Sequence, residues 1–562
     1  MNALAYMLYE RPDRAVVVVT FAVLICTLTY VITSTKSALS ARSNATAREP
    51  IGVPYWLPGV GNLVPWMRDT HGYVTRLAEH YGRKPFRVRL ANQKFYCLSS
   101  PEDIAAFFKA GWTETSLATT MMVMKYVAGA PKSVLEGVYG KDNSGISTKP
   151  LPGTNVPPEK RFYHLHHRLV VAQMSGRRLR SVTARFIESL ERQLRNLDVG
   201  SKEWTPIPDL HRWLGGIVFR ASVESLCGTQ IFNVNPTLAE DFRAFYQAVP
   251  TLLQGLPTFM APKAYAARAR MLSNLKKWNR AARSHLSLDS AGPEWDEWWG
   301  CEFVKKRKEL YVSMDGVDED GMASDDLILL FVTNVNIVPA VSWMIINALR
   351  TPSLLPRVLP EVYAAFCDGK LDVDKVCNNA LLQSVYAETL RLHTTNMLSR
   401  YIHTDEQPLK GWAFPKKAMV FLLGNVTAFD ENVWNTGTKE HPHPVNEFWP
   451  DRFLLYAGKE TSGPSRTPAT ARPPATEAGG PTFSIAGLAG AWVPYGGGES
   501  MCPGRNFAKQ EMIGSFAMLS RMLELELTDS DAAKYEPDKA FFFFGTMPPK
   551  GQIPARVRRR QL

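Results

Sequence analysis

The stretch from Trp492 to Glu511, W-V-P-Y-G-G-G-E-S-M-C-P-G-R-N-F-A-K-Q-E, constrains this chain more than any other. Gly496, Gly497 and Gly498 permit backbone angles that other residues resist, so their turn can press against a flat ligand. Cys502 follows the turn. Pro503 suits the first position of a helix, where its missing N–H would have had no partner. Met512, Phe516, Leu519 and Leu523 then recur at spacings of four, three and four, which marks one apolar helix face. A thiol at a helix start meets orphan N–H groups and the positive end of the helix dipole, and both favour the thiolate. The plainer reading of the same residues is a structural cysteine buried in a helix-start turn.

A thiolate held under a large flat cofactor is what iron needs for O–O bond cleavage. The segment resembles the haem-binding loop of the cytochrome P450 family, roughly F-x-x-G-x-R-x-C-x-G. Tyr495 stands for the aromatic, and Gly498, Cys502 and Gly504 match. Ser500 stands where the family usually has an arginine that pairs with a haem propionate. The resemblance implies haem b with Cys502 as axial ligand, cradled by Tyr495, Gly496, Gly498 and Gly504.

Two further motifs point the same way. Leu381 to Thr394 reads as a helix with Glu388 and Arg391 three residues apart, hence on one face. Alone, such a pair is usually a solvated surface pair. In the family this E-x-x-R pair joins a second arginine from a P-x-R-F segment, supplied here by Arg452 in Pro450-Asp451-Arg452-Phe453. The resemblance therefore implies a structural network of Glu388, Arg391 and Arg452. It also implies the P450 fold, mainly α with small β-sheets, behind a single N-terminal transmembrane helix.

A chain of 562 residues would by length alone suggest several domains, whereas this family folds its body as one. Net charge is +12, yet no Lys/Arg run with interleaved aromatics forms a nucleic-acid groove. The charge is assigned to a membrane surface or an acidic protein partner, with no nucleic acid. Seven scattered cysteines without a C-x-x-C point to a reducing compartment.

Ala15 to Ile32 carries no charge and is just long enough to span a bilayer. A cleaved signal peptide is the rival reading, but the apolar core is long and Ala38-Leu39-Ser40 is a weak cleavage site. Arg11 and Arg14 precede the span while Lys36, Arg42 and Arg48 follow it, so charge barely decides orientation. By resemblance to microsomal members, residues 1–14 are lumenal, 15–32 anchor the chain in the endoplasmic reticulum membrane, and the body is cytosolic. Residues 33–58 then form a linker and proline-rich hinge, and 59–562 the haem-thiolate domain. Asn44 begins a glycosylation sequon that this topology leaves bare. Gly458 to Gly480, rich in Pro, Thr, Ala and Ser, reads as a disordered surface insert.

Ser324 is a candidate N-cap, with Asp325 and Asp326 in the first turn of a helix that is apolar nearly all round from Leu327 to Arg350. The family pattern here is [A/G]-G-x-[D/E]-T, whose acid and threonine deliver protons during oxygen activation. This chain has Asn336 for the glycine, Val338 for the acid and Pro339 for the threonine. Pro339 should kink the helix and free a carbonyl. Asn336 is then the polar group near the iron, or the cap of the broken turn. An N-x-x-P-A run, which includes Ala340, is similar to the branch holding sterol 7α- and 12α-hydroxylases and prostacyclin synthase. Asp241 to Phe245, Gln254 to Pro257, Phe544 to Pro549 and Ile553 to Arg556 also look alike.

Arg400 lies where members place a propionate-binding arginine on a strand. His164 and Arg168 resemble the family's W-x-x-x-R helix, with a solvent-facing basic helix as the plainer reading. Leu253, Phe259, Ala340 and a strand at Phe541 to Phe544 are the expected apolar pocket lining. The implied activity is a monooxygenase that uses dioxygen, and electrons from NADPH through cytochrome P450 reductase, on a lipophilic steroid- or terpenoid-like molecule. The insert and the branch motifs suggest a microbial eukaryote's specialised metabolism. An isomerase or dehydratase acting on an oxygenated or peroxide substrate, without a reductase, fits the same motifs.

Overall fold

The computed structural model describes residues 12–42, 48–110, 114–115, 117–288, 293–395, 397–402, 407–467, 480–529 and 535–561. Residues 1–11 of the N-terminal segment, the Asn44 sequon, His403 to Asp405 and the 468–479 part of the insert lie outside the described residues. Contacts group the chain into two compact units. The first holds residues 1–115, 397–427 and 489–491, and the second 116–396, 428–488 and 492–562.

In the first unit, α1 (Pro12–Arg42) runs ten residues past the expected end of the anchor, into the stretch read as linker. No proline or glycine stands between Ile32 and Arg42 to stop it. Thr33 and Thr35 return their hydroxyls to the carbonyls of Thr29 and Val31, both at 2.8 Å, so these polar groups are satisfied within the helix. Thr33 Oγ1 also accepts the Tyr55 N–H at 3.2 Å, and Tyr30 stacks on Trp56 at 4.1 Å. The helix end is thereby tied to the proline-rich hinge. Among the described residues, two helical stretches are long and apolar enough to cross a membrane, Val16–Arg42 and Glu319–Leu349. The second is 72% buried inside the protein, which marks it as a core element.

The hinge is partly strand. β1 (Ile51–Gly52) pairs in parallel with β2 (Phe86–Leu90). With β3 (Gln93–Leu98), β4 (Glu114–Thr115), β5 (Met397–Ile402) and β6 (Met419–Leu423) they form a six-stranded sheet of order β1-β2-β3-β6-β5-β4. Tyr96, Leu98, Ile104, Phe107, Val420 and Leu422 fill its buried face. Gly61 is required beside it, because a Cβ there would lie 2.3 Å from the Arg89 carbonyl oxygen.

The second unit is helical. Its main helices are α2 (Phe162–Gln173), α3 (Gly176–Arg195), α4 (Leu210–Cys227), α5 (Leu238–Leu253), α6 (Pro262–His285) and α7 (Glu302–Val312). They continue with α8 (Glu319–Asn334), α9 (Ile337–Leu349), α10 (Ala380–His393) and α11 (Arg505–Met522). Helix α9, with Trp343, Ile345 and Ile346 buried, packs against α4, α10 and α11.

Three local expectations are corrected and one is met. Helix α8 starts at Glu319, capped by Asp318, whose carboxylate accepts the Gly321 N–H at 2.8 Å. Ser324 is therefore inside the helix, and Asp325 and Asp326 are buried against Arg307 and Lys308 of α7. As expected of Pro339, the helix is broken one turn before it, at Val335 and Asn336. A proline acts on the residue four before it: its ring crowds that carbonyl and its nitrogen cannot donate to it. Phe541 to Phe544 belong to a 3-10 turn, Lys539–Phe544, in place of a strand. The insert begins in order, since Asn435 N–H donates to the Pro464 carbonyl at 2.8 Å and Arg466 N–H to that of Val433 at 2.8 Å.

Candidate active site

The glycine turn and Cys502 form the centre of the site. Gly496 and Gly498 sit at φ of 73° and 68°, values that side-chain-bearing residues rarely adopt. The Cys502 N–H donates to the Tyr495 carbonyl at 2.9 Å and closes the loop. Helix α11 starts at Arg505 with Gly504 as its N-cap residue, so Pro503 precedes the helix instead of opening it. The Cys502 side chain is exposed on one side and crowded by protein on the others. That burial raises its thiol, while N–H groups of Gly504 and Arg505 and the Arg505 charge work the other way. This donor set fits a haem iron. A single thiol receives hydrogen bonds from its own loop, and Gly498 and Met501 are exposed beside it for a flat apolar ring to cover. Among the described residues, no group of three or more His, Cys, Asp or Glu side chains forms a separate metal site.

Tyr495 also carries a side-chain contact. Its hydroxyl lies 2.7 Å from that of Tyr386 on α10. Two residues on, Glu388 accepts from Arg391 Nε at 2.7 Å and Arg452 Nε at 2.9 Å, all three side chains being fully buried. Arg391 donates further to the Ala428 carbonyl at 2.8 Å, and Arg452 to the carbonyls of Asn435 and Pro444. Burial alone would raise the Glu388 carboxyl; the two arginine charges reverse that and hold it below the usual range.

Asn336 is half-buried, and its side chain does not cap α9. Its Oδ1 accepts the Thr546 N–H at 2.8 Å, and a Cβ on Gly545 (φ 102°) would lie 2.3 Å from that oxygen. The broken turn is thus pinned to the strand Gly545–Thr546. Pro339 and Ala340 are buried in the first turn and a half of α9. On α2, His164 is buried with Nδ1 2.8 Å from the Ile146 carbonyl, and Arg168 is exposed. Arg400 is buried in β5 of the first unit, opposite Val420, with NH1 donating to the Ser399 carbonyl at 3.0 Å. Phe259, expected in the pocket, is 82% exposed instead. It follows Pro257 in a 3-10 turn beyond the end of α5, which carries it off the helix face.

Sequence reasoning missed three features. Arg161 is bound by Ser144 Oγ and by the carbonyls of Ser147 and Thr148, and Ser147 Oγ reaches Glu499 of the glycine turn. Tyr386 gave no signal, since its partner is 109 residues away. Glu511, nine residues after Cys502, is buried with Oε1 lacking a protein hydrogen bond, as do Ser222 Oγ and Ser515 Oγ. Burial pushes the Glu511 carboxyl up to about 8 from an ordinary 4.5. A carboxyl raised on folding contributes fully below 4.5, and that contribution is lost as pH climbs through about 8. Thermal melting of the detergent-solubilised chain should therefore fall between pH 5 and 8, by up to about 1.4 kcal/mol of stability per unit. Glu511→Gln should flatten that slope; an unchanged slope means Glu511 folds ionised.

A model of the Cytochrome P450 family matches residues 208–554. The protein named Cytochrome P450 monooxygenase efuG from Hormonema carpetanum is 32% identical, over 94% of this chain and 92% of its own length. The chain belongs to the cytochrome P450 family. Cytochrome P450 monooxygenase fsoE from Humicola fuscoatra is 31% identical, over 92% of this chain and 88% of its own. Cholesterol 7-alpha-monooxygenase from Cricetulus griseus is 24% identical, over 57% and 59%. The N-x-x-P-A branch resemblance and these relatives agree. This P450 is a haem-thiolate monooxygenase with a small-molecule substrate, dioxygen and a redox partner.

Proposed function

We propose that this P450 hydroxylates, or otherwise oxidises by one oxygen atom, a lipophilic steroid- or terpenoid-like metabolite of a fungal specialised pathway. Electrons come from NADPH through cytochrome P450 reductase. Cys502 is the axial ligand and α1 anchors the chain with its body on the cytosolic face of the endoplasmic reticulum. The observation that carries the reading is likeness along nearly the whole chain to two P450 monooxygenases, with Cys502 in the glycine turn. Thiolate-bound haem supplies dioxygen activation and C–H oxidation. The chain's own residues orient and protonate. Arg391, Arg452 and Glu388 fix α10 beneath the loop. Pro339 leaves the Val335 carbonyl without its helical donor, and Asn336 spends Oδ1 on Thr546 but keeps Nδ2. Water held between Val335 O and Asn336 Nδ2 would carry protons in place of the family's acid and threonine. Tyr246 on α5 stacks on Phe541 at 4.7 Å, which supplies an aromatic wall for a flat substrate.

One experiment tests this reading. Sealed microsomes carrying the chain and reductase receive candidate sterols and terpenoids, with NADPH added outside. Product heavier by one oxygen should form, and Asn336→Ala should divert reducing equivalents to hydrogen peroxide with a 10²–10⁴-fold loss of product rate, about the range of general acid–base catalysis. Conversion at full rate without NADPH, reductase and dioxygen would install the isomerase reading. Product only after permeabilisation would reverse the orientation.

A further inference from the structure

Cations gather in the first unit where α1 leaves its apolar span. From Ala15 to Thr35 the helix carries no charge, and Lys36 is the first. Lys36 stands one helical turn past Ile32, about 6 Å further along the axis. Beside it lies a cleft of about 370 Å³. One wall is α1 from Thr29 to Ser37, and the other is Tyr55 with Arg87, Arg89 and Lys94 of the β2–β3 hairpin. The walls are tied together, because the Tyr55 N–H bonds to Thr33 and Trp56 stacks on Tyr30. Trp56 stays exposed, an amphipathic ring of the kind that settles at the level of lipid headgroups.

The hairpin concentrates charge at a cost to itself. Arg87 and Arg89 are two apart on β2 and so share one face. Lys94 on β3 is directly opposite Arg89, and like charges paired in this way destabilise a sheet. Gly52 makes room for Arg87, since a Cβ there would lie 3.2 Å from its Nε and 3.4 Å from NH2. Among the described residues a single carboxylate answers these cations. Glu49 pairs with Arg87, and with Lys94 at 3.5 Å, while it also accepts from the Tyr96 hydroxyl at 2.8 Å. Arg89 has neutral partners, the Ala91 carbonyl at 3.1 Å and the Tyr55 hydroxyl at 3.3 Å. Neither Arg89 nor Lys36 pairs with a carboxylate among the described residues. Four cations against one carboxylate favour an anion between the walls. Guanidinium and ammonium groups both donate to phosphate oxygens. The height of the cleft selects the source of that phosphate. It opens at the last turn of the apolar span, where phospholipid phosphates lie, and exposed Ile32 on its α1 wall offers apolar surface to a lipid chain.

We propose that this cleft binds the headgroup phosphate of one anionic phospholipid, held by Lys36, Arg87, Arg89 and Lys94. A zwitterionic lipid brings the same phosphate with a cation of its own, so the cleft discriminates against it. The proposal rests on the reading of α1 as a membrane anchor, and the two are tested separately.

The haem-loaded full chain in uncharged detergent is examined by native mass spectrometry with dioctanoyl phosphatidic acid, dioctanoyl phosphatidylcholine or inorganic phosphate. Wild type should retain one phosphatidic acid and hold the other two at least about tenfold more weakly. Arg89→Gln combined with Lys94→Gln should weaken phosphatidic acid about 25-fold, at about fivefold for each basic side chain near a lipid surface. Lys36→Gln leaves the hairpin untouched, should weaken it about fivefold, and decides alone if the double variant misfolds. Lys132→Gln combined with Arg177→Gln removes the same charge from exposed positions of the second unit and should leave retention unchanged. Equal retention of phosphatidylcholine, inorganic phosphate bound as tightly as the lipid, or an equal loss in the remote variant overturns the proposal. Carbonate washing of microsomes tests the anchor by itself. A wild-type chain that stays in the pellet yet retains no phosphatidic acid refutes the site and keeps the anchor. A chain that washes off refutes the anchor, whatever it binds in detergent.

Discussion

Cys502→Ala removes the thiolate-type carbonyl spectrum and all turnover above background, in a protein that still folds. The spectrum depends on sulfur as an anionic ligand, and no other cysteine can take the place of Cys502. Cys97, Cys227, Cys301 and Cys377 are buried, and burial pushes each thiol up, to about 11 for Cys301 and about 12 for Cys377. They stay protonated at neutral pH and point into packed core. Cys367 is exposed, but on the hairpin Phe366–Leu371, and Cys26 lies in α1. The fold should survive because Cys502 lies in the loop before α11, and the exposed residue loses only its sulfur on change to Ala. The check is a difference spectrum of the reduced, carbon monoxide-treated variant, beside its circular dichroism. A folded Cys502→Ala protein with the red-shifted band would refute the ligand assignment.

The chemistry of this P450 is more legible in the sequence than its packing. Cys502, Glu388, Arg391 and Arg452 stand out through their resemblance to the family's motifs, and the structure joins Glu388, Arg391 and Arg452 in one buried network. Gly496 and Gly498 could be picked out because positive φ is written in the residue itself. Asp325 and Asp326 show the opposite case. Next to Ser324 they read as a helix start, which is where unpaired acids belong. Their real partners, Arg307 and Lys308, lie on the helix before, and Lys308 also faces the rings of Trp278 and Trp299 at 4.5 and 5.3 Å. Nothing local distinguishes a capping acid from a buried paired one. Asn336 is similar: its partner Thr546 is 210 residues away. The four phenylalanines from 541 to 544 read as a strand by propensity, yet Asp538 caps a turn there by accepting the Ala540 N–H at 3.0 Å. The Thr33 and Thr35 hydroxyls that carry α1 to Arg42 are ordinary polar residues in a sequence window, and polarity there reads as a linker.

Glu388→Ala destabilises the fold by about 3–5 kcal/mol and gives haem-free or aggregated protein, because it strands two buried cations. Arg391 and Arg452 have no solvent to turn to, with side chains 0% exposed. Their other partners include the neutral carbonyls of Ala428, Asn435, Pro444 and Glu447, and rings of Trp434 and Trp449 at 5.1 and 5.2 Å. Those contacts orient guanidinium groups but cannot neutralise them. Glu388 also accepts the Trp449 N–H at 3.1 Å, so its removal frees the segment that carries Arg452. Glu388→Gln keeps the shape and loses the charge, and should recover only part of the stability. The pH dependence follows from the same geometry. A carboxyl held below its ordinary 4.5 contributes stability that is present above 4.5 and fades as pH falls through the lowered value. Wild type should therefore lose this contribution on acidification, and Glu388→Gln should not. Haem content, chemical unfolding midpoints and acid titration of the two variants measure it. A stable, haem-loaded Glu388→Ala enzyme that is merely slow would show that the carboxylate serves turnover, and that the arginines need no counter-charge to stay buried.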